Sequence, residues 1–297
     1  MEDILIIGNG FDLDLGLRSR YSDFFESDYW PFHDKETPLA KFLESRYSIN
    51  RWVDLEEALA EYGSKPFSTK SRLENDEPDF ELLRSSFRKY ILNEQKTFSP
   101  KDSVAARLLK TLVSTEYPTY SLFSFNFTSL NYIAKRKLKI LQSFEYGHIH
   151  GRSEDGTDIL GVGDYANLTA GSDFMYKSFD KNYAPPVMIP DMQFAKRVIM
   201  FGVSLGKVDY QYFDDYFRFL STGQDEERFG GEKEVIIFTY DDKSRMDILR
   251  NLQTMTDHKL GRIFARHELK LFCTKPGLDE ERINYFLEEL SVTEYLS

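Results

Sequence analysis

The sequence predicts a doubly wound α/β fold with a mainly parallel sheet, and its patterning carries that reading. Short apolar runs bounded by turn residues recur along the chain, segments of helical spacing lie between them, and several runs end in glycine, asparagine or serine. Strands buried on both faces read as continuous hydrophobic runs rather than as alternating patterns.

The first run, Ile4–Ile7, leads into Gly8-Asn9-Gly10 and a helix start. From about Tyr29 to Glu116 helical patterns replace strands, at Val53–Tyr62, Phe80–Asn93 and Ser103–Leu112. This predicts a helical insertion over 29–116, after the first strand-helix unit, within a single domain covering 1–297. Inside it, Gly63–Asp79 collects Ser, Lys, Pro, Asn and Asp without periodicity and reads as a loop joining two helices. Apolar runs at Leu122–Phe125, Ile159–Val162, Val198–Phe201, Val235–Phe238 and Leu269–Phe272 supply the other strands. Helices are expected at Leu130–Leu141, Tyr210–Leu220, Arg245–Leu252 and Glu280–Leu290, with right-handed crossovers. A second loop, Leu168–Pro190, holds Pro185, Pro186 and several aromatic rings, and fits either a lid over a pocket or a plain surface connection.

With 41% hydrophobic and 29% charged residues, the chain can bury a sizeable core without disulfides or structural metal. The net charge of −11 disfavours nonspecific binding to nucleic acid, and the basic run Lys135–Lys139 reads as a solvated helix face. A nuclease is disfavoured on the same ground and by the lack of a carboxylate cluster suited to metal. One cysteine, Cys273, excludes intrachain disulfides and points to a reducing, cytoplasmic compartment. Acids flank the opening apolar run, so neither a signal peptide nor a membrane span is expected.

Candidate chemistry gathers where apolar runs end. In Gly8-Asn9-Gly10-Phe11-Asp12, two glycines let the backbone turn sharply and approach a ligand, and the helix start offers amide donors. The dehydrogenase fingerprint needs a third glycine where Leu13 stands, which weighs against hydride transfer. Carboxylates at Asp12 and Asp14 would repel a phosphate unless they face sugar hydroxyls or cap helices. Asn126 and Thr128 follow the second run, and Gly202, Ser204 and Leu205 follow Val198–Phe201. In Gly147-His148-Ile149-His150-Gly151 the histidines alternate across an extended segment, so only one faces the pocket and no metal site is expected. A histidine followed by glycine at a strand end fits a general base. Parallel strands share one direction, which brings these ends to a single rim.

Taken together, Gly8-Asn9-Gly10-Phe11-Asp12 with Gly16-Leu17 and Tyr21-Ser22-Asp23-Phe24, then Phe125-Asn126-Phe127-Thr128, His150-Gly151 and Phe201-Gly202-Val203-Ser204-Leu205, resemble the AbiH family of phage abortive-infection proteins. The likeness spans about residues 1 to 240, and Trp52-Val53-Asp54-Leu55-Glu56 resembles a further family segment. The same elements are similar, more distantly, to sirtuin-like NAD-consuming domains. The resemblance implies a Rossmann-like (sirtuin-like) sheet and a phage-defence protein that binds NAD and hydrolyses its nicotinamide–ribose bond. On that analogy Asn126 would hold the nicotinamide ribose or a water, and His150 would act as general base. Gly8, Asn9, Gly10, Phe11, Asp12, Thr128, Gly202, Ser204 and Leu205 would contact the cofactor. Thr128 stands where sirtuins carry an aspartate, and their cysteine-rich zinc module is missing, so protein deacetylation is not expected. The alternative is a non-catalytic nucleotide-binding sensor or interaction module, and a homo-oligomer and a phage-derived trigger are further expected partners.

Overall fold

A computed structural model describes residues 3–50, 54–66, 68, 70, 72–113, 120–184, 188–223 and 231–293. The strands are β1 (Asp3–Ile7), β2 (Tyr120–Ser124), β3 (Gly147–His148), β4 (Arg197–Phe201), β5 (Glu234–Thr239) and β6 (Glu268–Cys273). They form one six-stranded sheet in the order β3-β2-β1-β4-β5-β6, parallel throughout. The order runs outward from β1 in one direction and from β4 in the other. Crossovers therefore diverge between these two strands, and doubly wound folds bind ligands beyond the carboxyl ends at such a switch point.

The helices are α1 (Asn9–Leu15), α2 (Tyr21–Phe25), α3 (Pro38–Asn50), α4 (Leu55–Gly63), α5 (Glu77–Thr97), α6 (Val104–Val113), α7 (Leu130–Tyr132), α8 (Met188–Phe194), α9 (Tyr210–Thr222), α10 (Asp242–Met255), α11 (Leu260–Arg266) and α12 (Glu280–Thr293). Alternation along the strands divides the core between the sheet's two faces. Leu5, Ile7, Ile199, Phe201 and Phe238 pack with Leu109 of α6 and Phe286 of α12. Ile4, Ile6, Met200 and Ile237 pack on the other face with Met192 of α8, Phe213 of α9 and Leu252 of α10. Both faces are thus covered, as an all-parallel sheet requires.

Between β1 and β2 the described residues hold helices and no strand. Their core is aromatic, built on Phe24, Trp30, Phe32, Tyr62, Phe80 and Phe87. It also takes in Leu160, Val162 and Met175 from the segment after β3. This corrects the strand expected at Ile159–Val162. Its apolar residues cover the helical core instead of the sheet, with a single bridge from Val162 to Tyr176, and the outermost strand is Gly147–His148.

Two further expectations shift. The loop expected at Gly63–Asp79 ends early, because Arg72–Asp76 forms a π-helical turn leading into α5, held by an ion pair between the buried Arg72 and Asp76 at 3.2 Å. The helix expected to reach Leu141 passes into a π-turn at Ile133–Leu138 and stops where Lys139 turns left-handed, φ 61°. Within the basic run, Lys137 Nζ donates to the carbonyls of Lys96 and Phe98, both at 2.7 Å, and so closes the end of α5. No helix among the described residues is long and apolar enough to cross a membrane.

Candidate functional site

Beyond β1 and β4 the two loops touch backbone to backbone. Gly8 N donates to the Phe201 carbonyl at 2.9 Å and Gly10 N to the Gly202 carbonyl at 3.0 Å. A Cβ on Gly10 would stand 2.5 Å from Gly202 Cα, and one on Gly202, whose φ is +67°, would stand 2.3 Å from Gly10 Cα. The glycines of the first turn are thus needed for the approach of the two loops to each other. The amides of Gly8 and Gly10 are taken by the carbonyls of Phe201 and Gly202.

Beside this contact lies a cavity of about 250 Å³. Gly8, Asn9, Asp12, Asn126, Thr128, His150, Gly202 and Ser204 all line it, so most residues expected from the sequence do converge. Gly10 instead borders a neighbouring hollow. Phe11 points into the core and meets Phe201 edge to face at 5.4 Å, and Leu205 is fully buried in the opposite core. Neither of these two lines the cavity.

Asp12 is buried, and its Oδ2 accepts a 2.8 Å hydrogen bond from Thr128 Oγ1. Asn126 lies beside the same carboxyl and helps its charged form, while its buried Nδ2 has no hydrogen-bond partner of good geometry. Burial outweighs both donors and pushes the Asp12 carboxyl up to about 7. Of the two aspartates near the glycine turn, the capping role falls to Asp14, whose Oδ2 accepts from Ala105 N in the first turn of α6 at 2.8 Å.

The histidines separate as their alternation predicts. His148 faces Tyr146, ring centroids 4.2 Å apart, and does not line the cavity. His150 Nε2 lies 3.2 Å from Tyr212 Oη and 3.2 Å from Lys177 Nζ. Lys177 Nζ in turn donates to Glu56 Oε2 at 2.7 Å, and Tyr21 Oη to Glu56 Oε1 at 3.3 Å. Burial first, and then the Lys177 ammonium, hold the His150 imidazole well below its ordinary pKa. Protonating Nε2 would set a second cation against Lys177, so the ring serves as a neutral acceptor.

A family model for bacteriophage abortive infection AbiH matches residues 4–225, which include every residue lining this cavity. The chain belongs to the AbiH family. A comparison with curated proteins gave no significant match.

The AbiH cavity is acidic. Asp54, the N-cap of α4, accepts from Glu56 N at 2.8 Å, and burial together with the Glu56 charge pushes its carboxyl up to about 6. Asp209, raised by burial, accepts from Ser204 Oγ at 2.7 Å. Phe87, Phe125 and Phe127 supply aromatic wall. Sequence reasoning assigned no role to Tyr21, Asp54, Glu56, Lys177, Asp209 or Tyr212. Tyr21, Asp54 and Glu56 fall within AbiH-like segments, a usable signal, whereas Trp52 and Val53 of the same segment lie outside the described residues. Lys177 sits alone in an aromatic loop and carries no local signal.

Proposed function

We propose that this AbiH protein binds NAD across the rim and hydrolyses its nicotinamide–ribose bond in phage defence. One observation carries the reading: at the topological switch point, a small cavity presents Asp12 and further carboxyls together with a buried amide, Asn126 Nδ2, that lies beside Asp12 without a well-formed hydrogen bond. Nicotinamide riboside is cationic and hydroxyl-rich, and the ribose gains oxocarbenium character as nicotinamide leaves. Fixed carboxylates stabilise that charge, and buried donors and acceptors orient the sugar. The volume suits one end of a dinucleotide. A second hollow of about 680 Å³ shares Asn9, Gly202, Val203 and Ser204 with the cavity and is bordered by Arg18, Arg20 and Lys101 as well as by Asp14, Asp23 and Asp247. That side offers cations to the pyrophosphate, which the first cavity does not.

In this reading Asn126 holds the nicotinamide ribose or the attacking water, and His150 contributes a neutral acceptor to the wall. The test is incubation of the full chain with NAD, with and without phage components, followed by quantification of nicotinamide and ADP-ribose. Release of both, lost in folded Asn126→Ala and His150→Ala variants, supports hydrolysis; no release under any condition refutes it. A second reading, a sensor that binds without turnover, draws on the engagement of His150 Nε2 by Lys177 and Tyr212. Tight binding of NAD or ADP-ribose without product would favour it.

A further inference from the structure

We infer that Asp12 accepts the proton of the water that attacks the nicotinamide ribose, with Asn126 positioning that water. This rests on the NAD-hydrolysis reading above. The reaction has a defined balance. The water oxygen bonds to the ribose C1′ as the bond from C1′ to the pyridinium nitrogen breaks, and that electron pair leaves with nicotinamide, which departs neutral. One water proton must go elsewhere, and a carboxylate within the cavity takes it before releasing it to solvent.

Elimination among the cavity's own groups leads to Asp12. Glu56 is held by Lys177 and Tyr21, and Asp54 caps the helix that carries Glu56; Asp209 accepts from the Ser204 hydroxyl much as Asp12 does from Thr128, but it is Asp12 that has the Asn126 amide beside it. His150 presents Nε2 to the Lys177 ammonium. Among the described residues no lysine or arginine pairs with Asp12, whose close neighbours are the neutral Thr128 hydroxyl, at hydrogen-bond distance, and the Asn126 amide. A buried carboxyl without a cation is costly, and it persists where a cationic ligand or a transferred proton completes it.

Asn126 supplies the second half of the geometry. Its Nδ2 is buried, lacks a well-formed partner and belongs to a side chain beside the Asp12 carboxyl. A water donating to Asp12 and accepting from Asn126 keeps its other lone pair free for C1′. The titratable and charged groups facing Asp12 are Tyr21, Asp54 and Glu56 from the helical segment, His150 with Lys177 behind it, and Asp209 after β4. Burial sets the Asp12 carboxyl near neutrality, where a base is half available and half protonated.

The experiment follows nicotinamide release from NAD by the full-length chain across a range of pH, alongside ADP-ribose affinity. The wild type should show kcat rising on one limb near neutral pH. Asp12→Asn should lower kcat by roughly 10²–10⁴-fold, leave ADP-ribose affinity nearly unchanged and flatten the limb. Thr128→Val, which keeps the carboxyl but removes its donor, should move the limb to higher pH, and this variant decides the matter if Asp12→Asn fails to fold. Wild-type kcat and limb in Asp12→Asn, or a loss of kcat matched by an equal loss of affinity, would overturn the assignment while sparing the NAD reading. A wild type that binds ADP-ribose and releases no nicotinamide overturns both, and the two failures are thereby told apart.

Discussion

Lys177 Nζ lies 2.7 Å from Glu56 Oε2, an ion pair in which both side chains are almost wholly buried. One ammonium thus ties the segment after β3 to α4, and through its contact with His150 to the end of β3.

Removing one partner of such a pair leaves an uncompensated charge. Lys177→Met is expected to cost about 3–5 kcal/mol in urea unfolding, while Glu56→Gln with Lys177→Met together should cost less than the sum of the single changes. The same substitution removes a charge that depresses His150, so its ring pKa, followed by NMR, should rise.

Asp12 links folding to pH with a definite sign. Its carboxyl is raised from 3.8 to about 7 in the folded protein, so the folded state binds its proton more tightly than the unfolded chain does. The stability this contributes is full below about pH 4 and is lost as pH rises to about 7. Asp12→Asn should therefore gain stability relative to the wild type across that window, by up to about 4 kcal/mol, then hold steady. Paired denaturation curves at several pH values check this, and a pH-independent difference would contradict it.

The contact of Gly10 with Gly202 allows no side chain. Gly10→Ala should destabilise by about 1–3 kcal/mol through overpacking. Gly202→Ala should cost more, since its positive φ adds about 1–2 kcal/mol for a residue with a Cβ. Combining the two should bring no relief, because each methyl meets backbone rather than a movable side chain.

Asp14 caps α6 from another helix, accepting from Ala105 N while Ser103 Oγ accepts from Ala106 N. Asp14→Ala should cost about 1 kcal/mol, visible as a lower Tm.

Much of the sheet was legible because of where its strands lie. Val198–Phe201 and Val235–Phe238 are buried on both faces and must be apolar throughout. Gly147–His148 was not, since an edge strand paired only with β2 needs no apolar run. Ile159–Val162 misled for a tertiary reason: its hydrophobicity serves the aromatic helical core, which local pattern cannot reveal. At the site, Asn126, Thr128, His150 and Ser204 could be placed on one rim from strand direction alone. Lys177 could not, because its position depends on Glu56 from a segment more than a hundred residues earlier.

The AbiH match stops at residue 225, midway through the sheet. β5 and β6 lie beyond it, yet β5 pairs with β4 from Arg197 to Phe201, and Ile236, Phe238, Phe272 and Phe286 complete the core that holds Leu5 and Ile7. A fragment trimmed to the matched segment would leave β4 as a raw edge, its amides and carbonyls open to another chain. The recognisable stretch lacks two of the six strands of this sheet. Expression of 4–225 alone should yield aggregates, because the sheet whose rim carries Asp12 and Asn126 includes two strands that the family signature does not see.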